Sequence, residues 1–185
     1  MESTTREWNS PLHIFLIGFM GSGKSSVAET LSKRLQRERL EMDERIVQQQ
    51  NMAITDIFAK YGEEHFRGLE TRLLEELQQQ EPAVISCGGG VPMRQENVDI
   101  MKKSGKVILL TATPQTIYER VKDSTERPIL NQNMSVEFIE ELMEKRREKY
   151  QAAADLTIET DGKELDEICS EIIQKLKEGE APAGK

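Results

Sequence analysis

The sequence is poor in the residues that build metal and disulfide frameworks. Its two cysteines, Cys87 and Cys169, lie far apart and match no metal-ligand spacing. A disulfide scaffold and a zinc module are both excluded, and a reducing, cytoplasmic setting is the simple reading. The two histidines, His13 and His65, are isolated from one another and make no metal site, so each is expected to be structural or solvated. No apolar run approaches the ~20 residues that span a bilayer. Positive charge is also in deficit. Twenty-five Lys and Arg stand against 33 Asp and Glu, a net charge of −8, which argues against a broad nucleic-acid or membrane surface. Any site for an anion must then be local, built from a few converging cations. Residues 1–10 are polar, carry Glu2 and Glu7, and lack the pattern of a signal peptide. Loose tails are expected at 1–11, where Trp8 is the one residue able to dock, and at 177–185. Between them the length allows one domain over 12–176.

What is present is a phosphate-binding pattern. Residues 18–25 read G-F-M-G-S-G-K-S, preceded by the apolar run I-F-L-I and followed by a helical repeat of Val27, Ala28, Leu31 and Leu35. Strand, glycine-rich turn and helix is the context of a P-loop. Gly21, Ser22 and Gly23 offer backbone N–H groups to a polyanion at the positive end of a helix. Lys24 reaches the terminal phosphates, the Ser25 hydroxyl suits Mg²⁺, and Ser26 follows on the first turn.

Further along, R-L-E-M-D-E-R-I reads as a strand end delivering Glu41 and Asp43 to one side by alternation. Asp43 also suits the N-cap of the helix that follows. Arg67 and Glu70 lie three apart on a helix carrying Phe66, Leu69, Leu73 and Leu77. They are either a surface ion pair or an arginine held by its glutamate to grip an anion, and periodicity does not choose. The stretch A-V-I-S-C-G-G-G is a buried strand running into a turn at Gly88, Gly89 and Gly90, where a ligand can approach backbone directly. Cys87 reads as a packed residue, since no histidine is near it in sequence. K-V-I-L-L at 106–110 is a strand buried on both faces. A helix opened by Pro114 carries Arg120, and residues 122–133 break the apolar pattern as a polar lid with Arg127 before Pro128. On the next helix Arg146 shares the face of Ile139, Leu142 and Tyr150, whereas Arg147 is turned about 100° away. An arginine on the core face needs an anion, which makes Arg146 the ligand candidate. The βα alternation predicts a three-layer α/β/α domain around a five-stranded parallel sheet.

These motifs together resemble the shikimate kinase family over residues 12–176. The resemblance rests on F-L-I-G-F-M-G-S-G-K-S, M-D-E-R-I, F-R-x-x-E, S-C-G-G-G-V and E-R-P-I-L in that order and spacing. It implies a P-loop NTPase fold of the nucleoside-monophosphate-kinase kind, with a substrate-binding segment at about 42–70 and a lid. It implies ATP-dependent phosphorylation of the 3-hydroxyl of shikimate, Mg²⁺ as cofactor, ATP and shikimate as the only partners, and a monomer. Carried over by residue, Asp43 holds the shikimate hydroxyls and is a candidate base, and Arg67 and Arg146 take the carboxylate. Gly89 and Gly90 pack on substrate, Arg127 closes with the lid, and Arg120 lies near adenine. Two positions depart from the family. Glu41 stands where the family has aspartate near Mg²⁺, adding a methylene, and Glu148 stands where many members have proline. The alternatives are another small-molecule P-loop kinase, such as a gluconate kinase, and a non-catalytic nucleotide-binding regulator. No N-K-x-D guanine motif occurs, and no buried strand ends in a Walker B aspartate, so a GTPase or AAA-type ATPase is not expected.

Overall fold

The computed structural model describes residues 7–123 and 135–180. Five strands form a parallel sheet in the order β2-β3-β1-β4-β5: β1 (His13–Ile17), β2 (Glu38–Glu41), β3 (Ala83–Ser86), β4 (Gly105–Thr111) and β5 (Leu156–Glu159). The central β1 is buried along its whole length, as a strand covered on both faces must be. Its side chains divide by alternation. Phe15 and Ile17, with Ile85, Val107 and Leu109, face one core; Ile14 and Leu16, with Val84, Ile108 and Leu110, face the other.

The second core is closed by α1 (Lys24–Leu35) and α8 (Leu165–Glu180), whose apolar stripes meet Ile14 and Ile108. The first is closed mainly by α4 (Glu63–Leu77) and α5 (Gln95–Ser104), with α2 (Met42–Gln50), α3 (Ile54–Tyr61), α6 (Pro114–Val121) and α7 (Val136–Ala153) at its rim. The result is the three-layer α/β/α architecture with β1 between β3 and β4. That places the P-loop turn where the strand order reverses. Among the described residues no helix is long and apolar enough to cross a membrane.

Several local expectations change. Asp43 is not an N-cap. β2 passes straight into α2, Glu41 is the capping residue without a side-chain cap bond, and Asp43 sits in the first helical turn. Because the strand ends at Glu41, the two carboxylates are placed by a strand end and a helix start rather than by alternation along one strand. At the ends, α8 continues to Glu180, and residues 7–11 are docked rather than loose. Trp8 is 2% exposed and lies under the Arg37 guanidinium at 4.5 Å, while Arg34 binds both oxygens of Glu7 at 2.9 and 2.6 Å. The expected lid, including Arg127, lies outside the described residues.

His13 is structural. Its Nε2–H donates to the Leu77 carbonyl at 2.7 Å and its Nδ1 accepts from the Ala83 N–H at 3.0 Å, tying the end of α4 to the start of β3. Only the neutral ring can do both, and burial holds its pKa below the usual 6.5. The unfolded chain therefore takes up this proton first as pH falls. The stability contributed is complete above about 6.5 and is lost as pH drops toward the lowered folded value. The expected outcome is that the difference in unfolding free energy between the native chain and His13→Gln, read from urea denaturation, shrinks as pH falls below about 6.5. A difference independent of pH would exclude a neutral His13.

Candidate active site

The turn after β1 is built on backbone that side chains rarely adopt. Gly21 has φ +78°, and a Cβ there would stand 2.7 Å from Val121 Cγ1, so α6 packs directly on the loop. Gly23, also left-handed, caps α1, and Val27 N–H bonds back to its carbonyl at 3.0 Å. Lys24 folds over this loop, donating to the Gly18 carbonyl at 2.8 Å and the Phe19 carbonyl at 3.2 Å. Arg120 reaches in from α6 to the Gly21 carbonyl at 3.0 Å and the Thr160 hydroxyl at 3.3 Å. Two cations are thus held on neutral carbonyls beside a ring of amides.

Opposite this loop stand the acids. Glu70 is 1% exposed and accepts from Arg67 Nη1 at 2.9 Å, with Glu63 binding the other arm at 3.2 Å. The choice left open by periodicity is decided by that burial: this is an arginine clamped from below, not a surface pair. Burial pushes the Glu70 carboxyl up while Arg67 pulls against it, and the neighbouring Asp43 adds to the rise. The Asp43 and Glu70 carboxylates converge on Gly88, 3.1 and 3.0 Å from where a Cβ would be. At Gly90 that Cβ would overlap the Arg67 guanidinium, so Arg67 lies flat on bare backbone. At Gly89 it would meet Arg146 Nη1 at 3.1 Å. Arg146 is half-buried, 5.9 Å over the Phe19 ring, and has no ion pair among the described residues. Arg147 points outward to Glu144 at 2.7 Å, as the helical phase predicts.

Glu41 sits between the two halves. Burial raises its pKa, against the Ser86 and Ser25 hydroxyls that pull it down. Its Oε1 is buried without a hydrogen bond, and the nearest cation recorded is Arg39 at 3.8 Å. Ser25 with an orphaned carboxylate oxygen suits a divalent cation that also binds phosphate. Among the described residues no three His, Cys, Asp or Glu gather to hold a metal by themselves.

The loop residues 21–26, Glu41, Asp43, Arg67, Glu70, the glycines 88–90, Arg120 and Arg146 line one cleft of about 1090 Å³. It receives every candidate named from the sequence that falls among the described residues, from the loop amides and Ser26 to Arg146. Cys87 also borders it but is 2% exposed and its thiol is pushed well above the ordinary range by burial, so it is packing, not a nucleophile. The sequence reading missed three things. Gly88 was noted as turn but not as the point where two carboxylates converge. Tyr150 was taken as core, whereas its hydroxyl donates to the Gly89 carbonyl at 2.7 Å. The cleft's far end, at Thr160, Lys163 and Leu165, carried no sequence signal.

The comparisons with known proteins agree in one direction. The family model described as shikimate kinase matches residues 20–177. The chain belongs to the shikimate kinase family. A shikimate kinase of Dehalococcoides mccartyi is 41% identical over 172 residues, covering 93% of this chain and 97% of the relative. One from Geobacter metallireducens is 39% identical over 170 residues, covering 92% and 94%. Among solved structures, shikimate kinase from Acinetobacter baumannii in complex with shikimate superposes with a TM-score of 0.86 at 29% identity, covering 94% of this chain and 97% of that one. The Aquifex aeolicus enzyme gives 0.80 at 35%, covering 93% and 100%. A gluconokinase from Sinorhizobium meliloti gives 0.52 at 17% identity, covering 92% and 98%, and so shares the fold alone. Removing the buried clamp of the shikimate kinase site should be costly. Glu70→Ala is expected to destabilise the chain by about 1.5–3 kcal/mol in urea unfolding, the range for a hydrogen bond to a charged group. Glu70→Gln, which retains an acceptor, should lose less.

Proposed function

We propose that this protein transfers the γ-phosphoryl group of ATP to the 3-hydroxyl of shikimate, giving shikimate 3-phosphate and ADP on the route to chorismate and aromatic amino acids. One observation carries the reading of the acceptor side. Arg146 is half-buried, without an ion pair among the described residues, and shares the cleft with Arg67, Asp43 and a run of bare glycine backbone. Two guanidiniums beside one carboxylate suit a ligand with an acid at one end and hydroxyls at the other. Family membership supports shikimate over gluconate, and retention of Lys24, Asp43 and both arginines speaks against a non-catalytic regulator.

In this reading the loop amides and Lys24 hold the β- and γ-phosphates, and Lys24 exchanges its contacts on Gly18 and Phe19 for phosphate oxygens. Asp43 orients the attacking hydroxyl and accepts its proton as the new O–P bond forms and the bond to ADP breaks. Arg67 and Arg146 fix the remote carboxylate, turning binding energy into alignment. Arg120 borders the nucleotide end. Ser25 and Glu41 would hold Mg²⁺, which would supply charge neutralisation at the phosphates. Residues 12–176 form one catalytic domain with a substrate-binding segment at about 42–70. Arg127 is assigned to a lid at 122–133 on the sequence resemblance alone. The protein acts as a cytoplasmic monomer.

A coupled assay with ATP and Mg²⁺ should show turnover with shikimate and none with gluconate or a panel of nucleoside monophosphates; the reverse preference would sink the assignment. Arg67→Ala should raise KM for shikimate at least tenfold, about 1.4 kcal/mol, while moving KM for ATP less than about twofold. Equal changes in both would remove Arg67 from the acid end.

A further inference from the structure

Arg146 is a long side chain on a helix, and among the described residues no acid pairs with it. A guanidinium left to rotate would lose entropy on binding a carboxylate and would sample positions away from it. What does touch it is Tyr150, one turn further along α7, whose hydroxyl lies 3.5 Å from Arg146 Nη1. That hydroxyl donates its proton to the Gly89 carbonyl at 2.7 Å, so its lone pairs are what face the guanidinium. The ring is 5% exposed and packs in the core below the cleft. The same three groups meet from the other side. A Cβ on Gly89 would touch both Arg146 Nη1 and the Tyr150 hydroxyl, at 3.1 and 3.5 Å. Helix α7 and the glycine turn are thus joined at one buried point, by a phenol that has a donor for one and an acceptor for the other. The turn is held again further on, where the fully buried Asn97 donates to the Val91 carbonyl at 2.9 Å and accepts from Thr71 at 2.7 Å. Asn97 touches no arginine in these bonds, which leaves Tyr150 as the link to the acid end.

We infer that Tyr150 is a positioning residue for the acceptor: its hydroxyl, anchored on the Gly89 carbonyl, sets the Arg146 guanidinium where the substrate carboxylate arrives. Burial keeps this phenol protonated, since it pushes the pKa above its ordinary value against the pull of Arg146. This role rests on Arg146 taking the shikimate carboxylate, and the test separates the two.

The experiment is steady-state kinetics of the full chain, native and Tyr150→Phe, each with and without Arg146→Ala. Phenylalanine keeps the ring in the core, and Trp8 emission with the thermal midpoint reports whether the fold is kept. Should that chain not fold, Tyr150→Met fills the same space and is measured in its place. Tyr150→Phe should raise KM for shikimate about fivefold or more, with KM for ATP within twofold. In the Arg146→Ala background the same substitution should change KM for shikimate by less than about twofold, because the group it positions is gone. An unchanged KM for shikimate in Tyr150→Phe overturns the inference, as does an equal factor in both backgrounds, or equal rises for shikimate and ATP. If Arg146→Ala itself leaves KM for shikimate unchanged, the reading of Arg146 falls and this inference with it.

Discussion

Parallel alignment forces the carboxyl ends of β1, β2 and β3 onto one edge of the sheet, and each ends in a different kind of group. β1 delivers a turn of amides, β2 delivers Glu41 and the start of α2 with Asp43, and β3 delivers three glycines. Hydrogen bonding carries this alignment past the strands themselves, since the Cys87 N–H still bonds the Leu16 carbonyl at 3.0 Å. The sheet ladder thus sets the glycine turn beside the phosphate turn, and the Tyr150 hydroxyl and Asn97 fasten it there. A slip of one residue in β3 would turn Val84 and Ile85 to the wrong cores and move the glycines away from Asp43 and Arg67 together. Site geometry and core burial are in this way the same constraint.

A chain with a net charge of −8 must still receive two anions. It does so by storing its cations in the cleft on weak or replaceable partners. Lys24 and Arg120 rest on carbonyls of the loop, and Arg146 rests on a phenol and an aromatic face. The Gly18, Phe19 and Gly21 carbonyls and the Tyr150 phenol carry no formal charge. Arg67 is the exception, paired with the buried Glu70. There the buried Glu70 holds one arm of the guanidinium and the exposed Glu63 the other, and the group lies across Gly90 at the cleft. A carboxylate so deeply buried is expensive unless paired, so the two residues fix one another.

Much of this was legible in the sequence, and the reasons differ by residue. The P-loop was readable because local backbone chemistry demands glycine at fixed offsets, and all its contacts fall within a short stretch of chain. Arg146 could be told from Arg147 because helical phase is a local property. The Arg67–Glu70 pair was visible, but its burial was not, since burial depends on what α5 and the glycine turn bring from elsewhere. Tyr150 was hidden for a related reason. Its ring fits the apolar stripe of α7, and only its partner 61 residues away reveals the hydroxyl's task. The N-terminal segment was misread because its anchors, Arg34 near the end of α1 and Arg37 just beyond it, carry no sequence sign of what they hold.

Glu41 shows how one methylene is accommodated at such an edge. The longer side chain reaches toward Ser25 and Ser86, and in doing so buries an oxygen with no hydrogen-bond donor. Elsewhere in a core that arrangement costs about 1–3 kcal/mol and is normally removed. Here its surroundings argue for retention. Burial already disfavours the charge, the two hydroxyls favour it, and Arg39 at 3.8 Å is too far to hydrogen-bond the buried oxygen. The oxygen is left without a hydrogen-bond donor where β2 meets the cleft. A buried acceptor kept short of donors at the edge of the cleft is a local rule broken where function concentrates.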